Sequence, residues 1–121
     1  MHTPDNITEL KPNEYIVVGT NYDGNHGGGL AAYAQEYFGL QPRCAHGISG
    51  QCYCIVTMTN LGQIEIGVKG LIEFAIFNPD KIFYLTKIGT GIAGFSEDEI
   101  KGSLKKVSSK APNNIIKPKG W

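Results

Sequence analysis

The sequence predicts an α/β fold in three layers, with helices on both faces of a mostly parallel or mixed sheet. Three observations carry that expectation. Short β-branched or aromatic runs recur at residues 15–18, 52–57 and 82–86, each bounded by glycine, proline or polar residues. Stretches with apolar residues at helical spacing lie between them. The runs themselves are almost wholly apolar, as in strands that helices cover on both sides. Strands alternating with helices in this way imply parallel pairing through right-handed crossovers.

Taken in order, residues 1–13 read as a polar lead-in, with Pro4 and Pro12 blocking regular structure. Tyr15-Ile16-Val17-Val18 is the first strand, closed by Gly19. Leu30, Tyr33, Ala34, Tyr37 and Phe38 form one helical stripe, which Gly39 ends as the residue after the cap. Residues 40–50, with Pro42, Gly47 and Gly50, read as an irregular loop, and 52–57 as the second strand. Val68, Leu71, Ile72, Ala75 and Ile76 repeat the helical pattern despite Gly67 and Gly70, until Asn78-Pro79-Asp80 breaks it. The third strand follows at 82–86. Ser96-Glu97-Asp98-Glu99 is a capping box that opens a third helix, with acids in its first turn and Lys101, Lys105 and Lys106 further along. Pro112 stops that helix, and Asn114-Ile115-Ile116 reads as a short last strand.

A chain of 121 residues is the size of a single domain with one core, here 1–121. Sixteen glycines, well above the ~7% average, point to several tight loops. The formal net charge is zero, yet residues 101–121 hold six lysines and no acid. Such a tail could meet nucleic acid, but the helix dipole explains the charge split, and a solvated helix face is the preferred reading. No run approaches a membrane span, and the polar start is unlike a signal peptide, so the expected location is cytoplasmic. Tyr22 and Trp121 read as exposed aromatics that leave room for a homo-oligomer. Cys44, Cys52 and Cys54 are an odd number, which argues against a disulfide framework. With His46 they form C-x-H-x5-C-x-C, but zinc sites use C-x2–4-C. Residues 52 and 54 fall on the same face of a strand, so the expectation is packed thiols and no metal.

Two glycine-rich stretches carry the chemistry. The first, Gly19-Thr20-Asn21-Tyr22-Asp23-Gly24-Asn25-His26-Gly27-Gly28-Gly29, joins a strand to a helix. The second, Gly89-Thr90-Gly91-Ile92-Ala93-Gly94, does the same. Strand, glycine loop and helix present backbone N–H groups and a positive dipole end to an anion. Glycines let a phosphate approach the backbone and let φ become positive. Asn21, Asp23, Asn25 and His26 add polar groups able to orient a ribose or a base. Both loops leave parallel strands at the carboxyl edge, where α/β sheets bind ligands. Two facing cradles suit a diphosphate between two sugars. Neither loop contains G-x-x-x-x-G-K-[ST], which excludes a P-loop. Gly89, Gly91 and Gly94 fit G-x-G-x-x-G, and Gly27, Gly29 and Ala32 its alanine variant. No acid lies between Glu36 and Glu65 or after Glu99, however, where a dinucleotide fold needs one for the ribose.

On these residues the chain resembles the macrodomain superfamily, whose members bind ADP-ribose. Asn25-His26-Gly27-Gly28-Gly29-Leu30-Ala31 looks like the family's G-G-G-[VI]-A or G-x-G-I-A signature at a helix start. Ile88-Gly89-Thr90-Gly91-Ile92-Ala93-Gly94-Phe95 is similar to its S-T-G-I-[YF]-G-[YF] or I-G-C-G-L loop. The likeness runs from about Glu14 to Trp121. It is nearest to the compact branch of terminal ADP-ribose glutamate hydrolases and ADP-ribose-1″-phosphatases, and to small phage-encoded proteins of that kind.

The resemblance implies a macrodomain-like fold and a ligand site at Asn21, Asn25, His26, Gly27, Gly28, Gly29, Leu30, Gly89, Thr90, Gly91, Ile92, Ala93, Gly94 and Phe95. Its backbone would hold the pyrophosphate and distal ribose, with Asn21 near that ribose and Phe95 packed either on the ligand or in the core. The glutamate-hydrolase branch uses a lysine nucleophile after the second strand and an acid in the second glycine loop; here Met58 and Ala93 occupy those places. A thioether and a methyl cannot act as nucleophile or base. The expectation is therefore binding of ADP-ribose or a derivative without turnover, with no cofactor. Removal of ADP-ribose or its terminal phosphate through Asp23 or His26 is the alternative. In a phage-encoded chain the implied use is sequestering an NAD-derived defence signal in the host cytoplasm.

Overall fold

The computed structural model describes the chain except for residues 1, 5, 21–28, 42, 58, 91–92 and 108–110. The elements run β1 (Glu14–Thr20), α1 (Gly29–Tyr37), β2 (Gly47–Ser49), β3 (Cys52–Val56), α2 (Leu61–Phe77), β4 (Ile82–Leu85), α3 (Glu97–Val107) and β5 (Ile115–Ile116). The five strands form one sheet in the order β2-β3-β1-β4-β5. β1 pairs in parallel with both β3 and β4, and β4 with β5. β2 alone is antiparallel, against β3.

Alternation along the strands divides the core in two. Val17, Tyr53, Ile55, Phe83 and Leu85 face α2 and α3. Ile16, Val18, Cys52 and Cys54 face the other way, onto Ala34 of α1 and the Phe38 that follows it. β1 and β3 are thus covered on both sides, which explains their unbroken apolar runs. On the first face Tyr53, Phe74, Phe83 and Tyr15 form a chain of ring contacts with centroids 5.4–5.8 Å apart.

Several local devices match the sequence closely. The Ser96 hydroxyl accepts from the Glu99 N–H at 3.1 Å while the Ser96 N–H donates to the Glu99 carboxylate at 3.0 Å, a reciprocal capping box. Gly39 has φ 76°, and the Leu40 N–H returns to the Ala34 carbonyl at 3.2 Å, ending α1. Asn114 places its amide nitrogen 3.0–3.1 Å from the carbonyl oxygens of Ala75, Asn78 and Lys81, tying β5 to the end of α2.

Other expectations are corrected. The first strand runs past Gly19 to Thr20, because pairing with β3 continues there. Residues 40–50 are not wholly irregular: Gly47, Ile48 and Ser49 form β2 through a tight turn at Gly50. α2, for which the apolar stripe gave no start, begins at Leu61 behind an N-cap where Asn60 accepts from the Gln63 N–H at 2.9 Å. Ile76, expected on the apolar stripe, is 49% exposed. Eight residues at 100° each set it about 80° from Val68. Tyr37, at the end of α1, is likewise exposed and leans on Tyr33 with ring centroids 4.5 Å apart. Trp121 is not an exposed aromatic: it packs on the α2–α3 core and its indole N–H donates to Glu97 at 3.0 Å. Tyr22 lies outside the described residues. Among the described residues no helix is long and apolar enough to cross a membrane.

Candidate functional site

β1 and β4 lie side by side and parallel, so their carboxyl ends meet at one edge. From that edge β1 leads to α1 on one face of the sheet, while β4 leads to α3 on the other. The chain order also reverses here, because β3 lies on one side of β1 and β4 on the other. This is the topological switch point at which open α/β sheets bind ligands. The Thr86 hydroxyl, just past β4, donates to the Val17 carbonyl at 2.7 Å and ties the end of β4 to the middle of β1.

A cleft of about 490 Å³ opens at this place, within the ~300–1,000 Å³ usual for small-molecule sites. Its floor and one side come from Ile16, Thr86 and Lys87. Leu30 and Tyr33 of α1 form a second wall, and Thr3, Pro4, Asn6 and Ile7 of the lead-in form a third, with Pro118 beside them. The lead-in is anchored rather than trailing. The buried Thr3 hydroxyl donates to the Leu85 carbonyl at 2.7 Å, and the Thr3 N–H to the Lys117 carbonyl at 2.9 Å. α1 covers β1 and β3 but leaves this side of β4 to the lead-in, and the cleft is the gap between the two.

The described residues of the second glycine stretch are tied by local hydrogen bonds. The Thr90 hydroxyl donates to the Lys87 carbonyl at 2.7 Å, and the Phe95 N–H to the Gly89 carbonyl at 3.0 Å. Gly89 has φ 78°, and a Cβ there would stand 2.9 Å from Ile100 Cδ1. Gly94 has φ 80°, and among the described residues nothing lies within 4 Å of a Cβ placed there. Backbone conformation and packing therefore account for both glycines without a phosphate. Phe95 rests partly buried against the α2–α3 core. Lys87 lies between the cleft and α3, its Nζ 3.5 Å from the Glu97 carboxylate with both side chains half-exposed. The Trp121 indole N–H, and after it Lys87, hold the Glu97 carboxyl below the usual carboxylate range.

Of the residues expected at the site, Leu30 lines the cleft, Gly29 opens α1, and Gly89, Thr90, Ala93, Gly94 and Phe95 build the turn after β4. Asn21, Asp23, Asn25, His26, Gly27, Gly28, Gly91 and Ile92 lie outside the described residues, as does Met58. The juxtaposition of Gly28 with Gly91 is therefore not described. Sequence reasoning missed Thr86, Lys87, Tyr33 as a cleft residue, and the lead-in. Thr86 and Lys87 had a signal, since they directly follow a strand at the ligand-binding edge; the lead-in had none.

Cys52 and Cys54 are buried side by side on the α1 face, as their spacing implies. Burial pushes the Cys52 thiol up to about 12, and Cys54 is raised for the same first reason. Among the described residues no group of three or more His, Cys, Asp or Glu side chains could hold a metal ion. No family model, curated protein or solved structure matches the chain.

Proposed function

We propose that the protein is a macrodomain-like α/β/α module that binds ADP-ribose, or an NAD-derived ADP-ribose-type nucleotide, at the carboxyl edge of β1 and β4 without turning it over. The observation that supports this most is the position of the cleft. It opens at the switch point, between the strands that lead into the two glycine-rich stretches and beside the first turns of α1. Its walls mix apolar surface from Ile7, Ile16 and Leu30 with polar groups from Asn6, Tyr33, Thr86 and Lys87, the composition of a small-molecule site. Ala93 offers a methyl where the related hydrolases carry an acid, which favours binding over chemistry. In a phage-encoded chain such a module would sequester a signal made from NAD.

The test is a thermal-shift panel of NAD, ADP-ribose, its 1″-phosphate and cyclic ADP-ribose, followed by calorimetry and chromatography of each ligand after incubation. The expected result is 1:1 binding of one ADP-ribose form, recovered unchanged. A panel in which nothing binds overturns the reading. Conversion of the ligand would instead assign the hydrolase or phosphatase activity, and Asp23→Ala or His26→Ala would then abolish it in a folded protein.

A further inference from the structure

Among the described residues that line the cleft, Lys87 alone is charged. We propose that Lys87 is the anion-binding residue of the cleft, parked on Glu97 when the site is empty and transferred to a phosphate group when a ligand enters. The inference rests on the reading of the cleft as a site for a phosphorylated ligand. Three observations place it. Lys87 borders the cleft, yet its Nζ lies 3.5 Å from Glu97, on the first turn of α3. The pair is half-exposed, so its ion-pair attraction is weak and release costs little. Glu97 does not depend on the lysine alone: the Trp121 indole N–H donates to the same carboxylate oxygen at 3.0 Å, and the α3 N-terminus favours its charge. When Lys87 turns to a phosphate, Glu97 keeps both of those partners.

The C-terminal segment links the two positions. Pro118 lines the cleft, and its carbonyl accepts from the Trp121 N–H at 3.0 Å, so the wall of the cleft and the residue that holds Glu97 form one turn. Trp121 is the single tryptophan of the chain. Its fluorescence therefore reports the transfer directly.

The experiment titrates ADP-ribose and inorganic pyrophosphate into the wild type, Lys87→Met, Lys87→Arg and Glu97→Gln, reading calorimetric affinity and Trp121 fluorescence. Both anions are expected to change the fluorescence of the wild type. Lys87→Met should weaken ADP-ribose binding by about tenfold or more, the worth of one charge-assisted hydrogen bond. Lys87→Arg should restore most of it, and Glu97→Gln should tighten binding several-fold by releasing the lysine. Lys87→Met should melt with the wild type, because the ion pair it removes is exposed. ADP-ribose bound equally by the wild type and Lys87→Met overturns the inference and leaves the nucleotide reading standing. Pyrophosphate bound through Lys87 while ADP-ribose is ignored does the reverse. A wild type that binds neither anion overturns both.

Discussion

A Cβ at Gly50 would stand 2.5 Å from the Gly39 carbonyl oxygen, and its φ of 58° is one that other residues avoid. The close approach has a purpose: the Gln51 N–H beside it donates to the Phe38 carbonyl at 2.9 Å and locks the end of α1 to the β2–β3 turn. Gly94 shares the left-handed φ, at 80°, but a Cβ there would meet none of the described residues. Gly94→Ala should therefore cost only the conformational term of about 1–2 kcal/mol. Gly50→Ala adds the clash and should lose at least about 3 kcal/mol. Denaturant unfolding of the two variants checks the difference, and equal losses would refute it.

Cys52 makes a second prediction at this scale. Its thiol is pushed up to about 12 by burial, so the folded state keeps a proton that the unfolded chain releases. Stability should hold below the ordinary thiol pKa and fall as pH rises from there toward 12. In the same range Cys52 should resist iodoacetamide in the native protein and react on unfolding, which mass spectrometry of the alkylated peptide would show.

One glycine of α2 and one of α3 separate propensity from packing. In an open helix, glycine to alanine stabilises by roughly 0.5–1 kcal/mol. Gly102 of α3 has none of the described residues within 4 Å of its missing Cβ, and Gly102→Ala should gain that amount. At Gly67 of α2 the same Cβ would meet Ile55 Cγ2 at 2.5 Å. Ile55 is fully buried and β-branched, so its methyl has little freedom to move away. Gly67→Ala should lose about 1–3 kcal/mol, the usual cost of overpacking. Opposite shifts in the thermal midpoint are the expected result; a gain in both would mean that α2 stands further from β3 than described.

These residues also show which elements are legible in the sequence. Gly67 looks like a weak point in a helix until Ile55 is known to lie against it, and that contact is non-local. The capping box at Ser96 and Glu99 was readable because its hydrogen bonds join residues three apart. β2 was missed because three residues, held only by pairing with β3, leave no period to detect.

For the molecule as a whole, alternating runs and stripes were enough to give an α/β sheet with helices on both faces, because strands buried twice must be apolar throughout. They could not give the order β2-β3-β1-β4-β5, which depends on pairing between distant segments. The site divides in the same way. The carboxyl edge was expected from the strand–loop–helix pattern, whereas the lead-in that walls the cleft is fixed by Thr3 reaching the Leu85 carbonyl, a contact across 82 positions of sequence. The second loop is informative in a different sense. Its glycines at 89 and 94 are satisfied by conformation and packing, so the case for a nucleotide rests on where the cleft lies rather than on glycine count.

The most direct measurement is a titration of ¹⁵N-labelled protein with ADP-ribose, followed through the backbone amide resonances. Shifts centred on Asn6, Leu30, Tyr33, Thr86 and Lys87, saturating at one equivalent, are the result predicted for a ligand seated at the switch point between β1 and β4. Amides there that stay unmoved, or shifts confined to the lysines of α3, would contradict it.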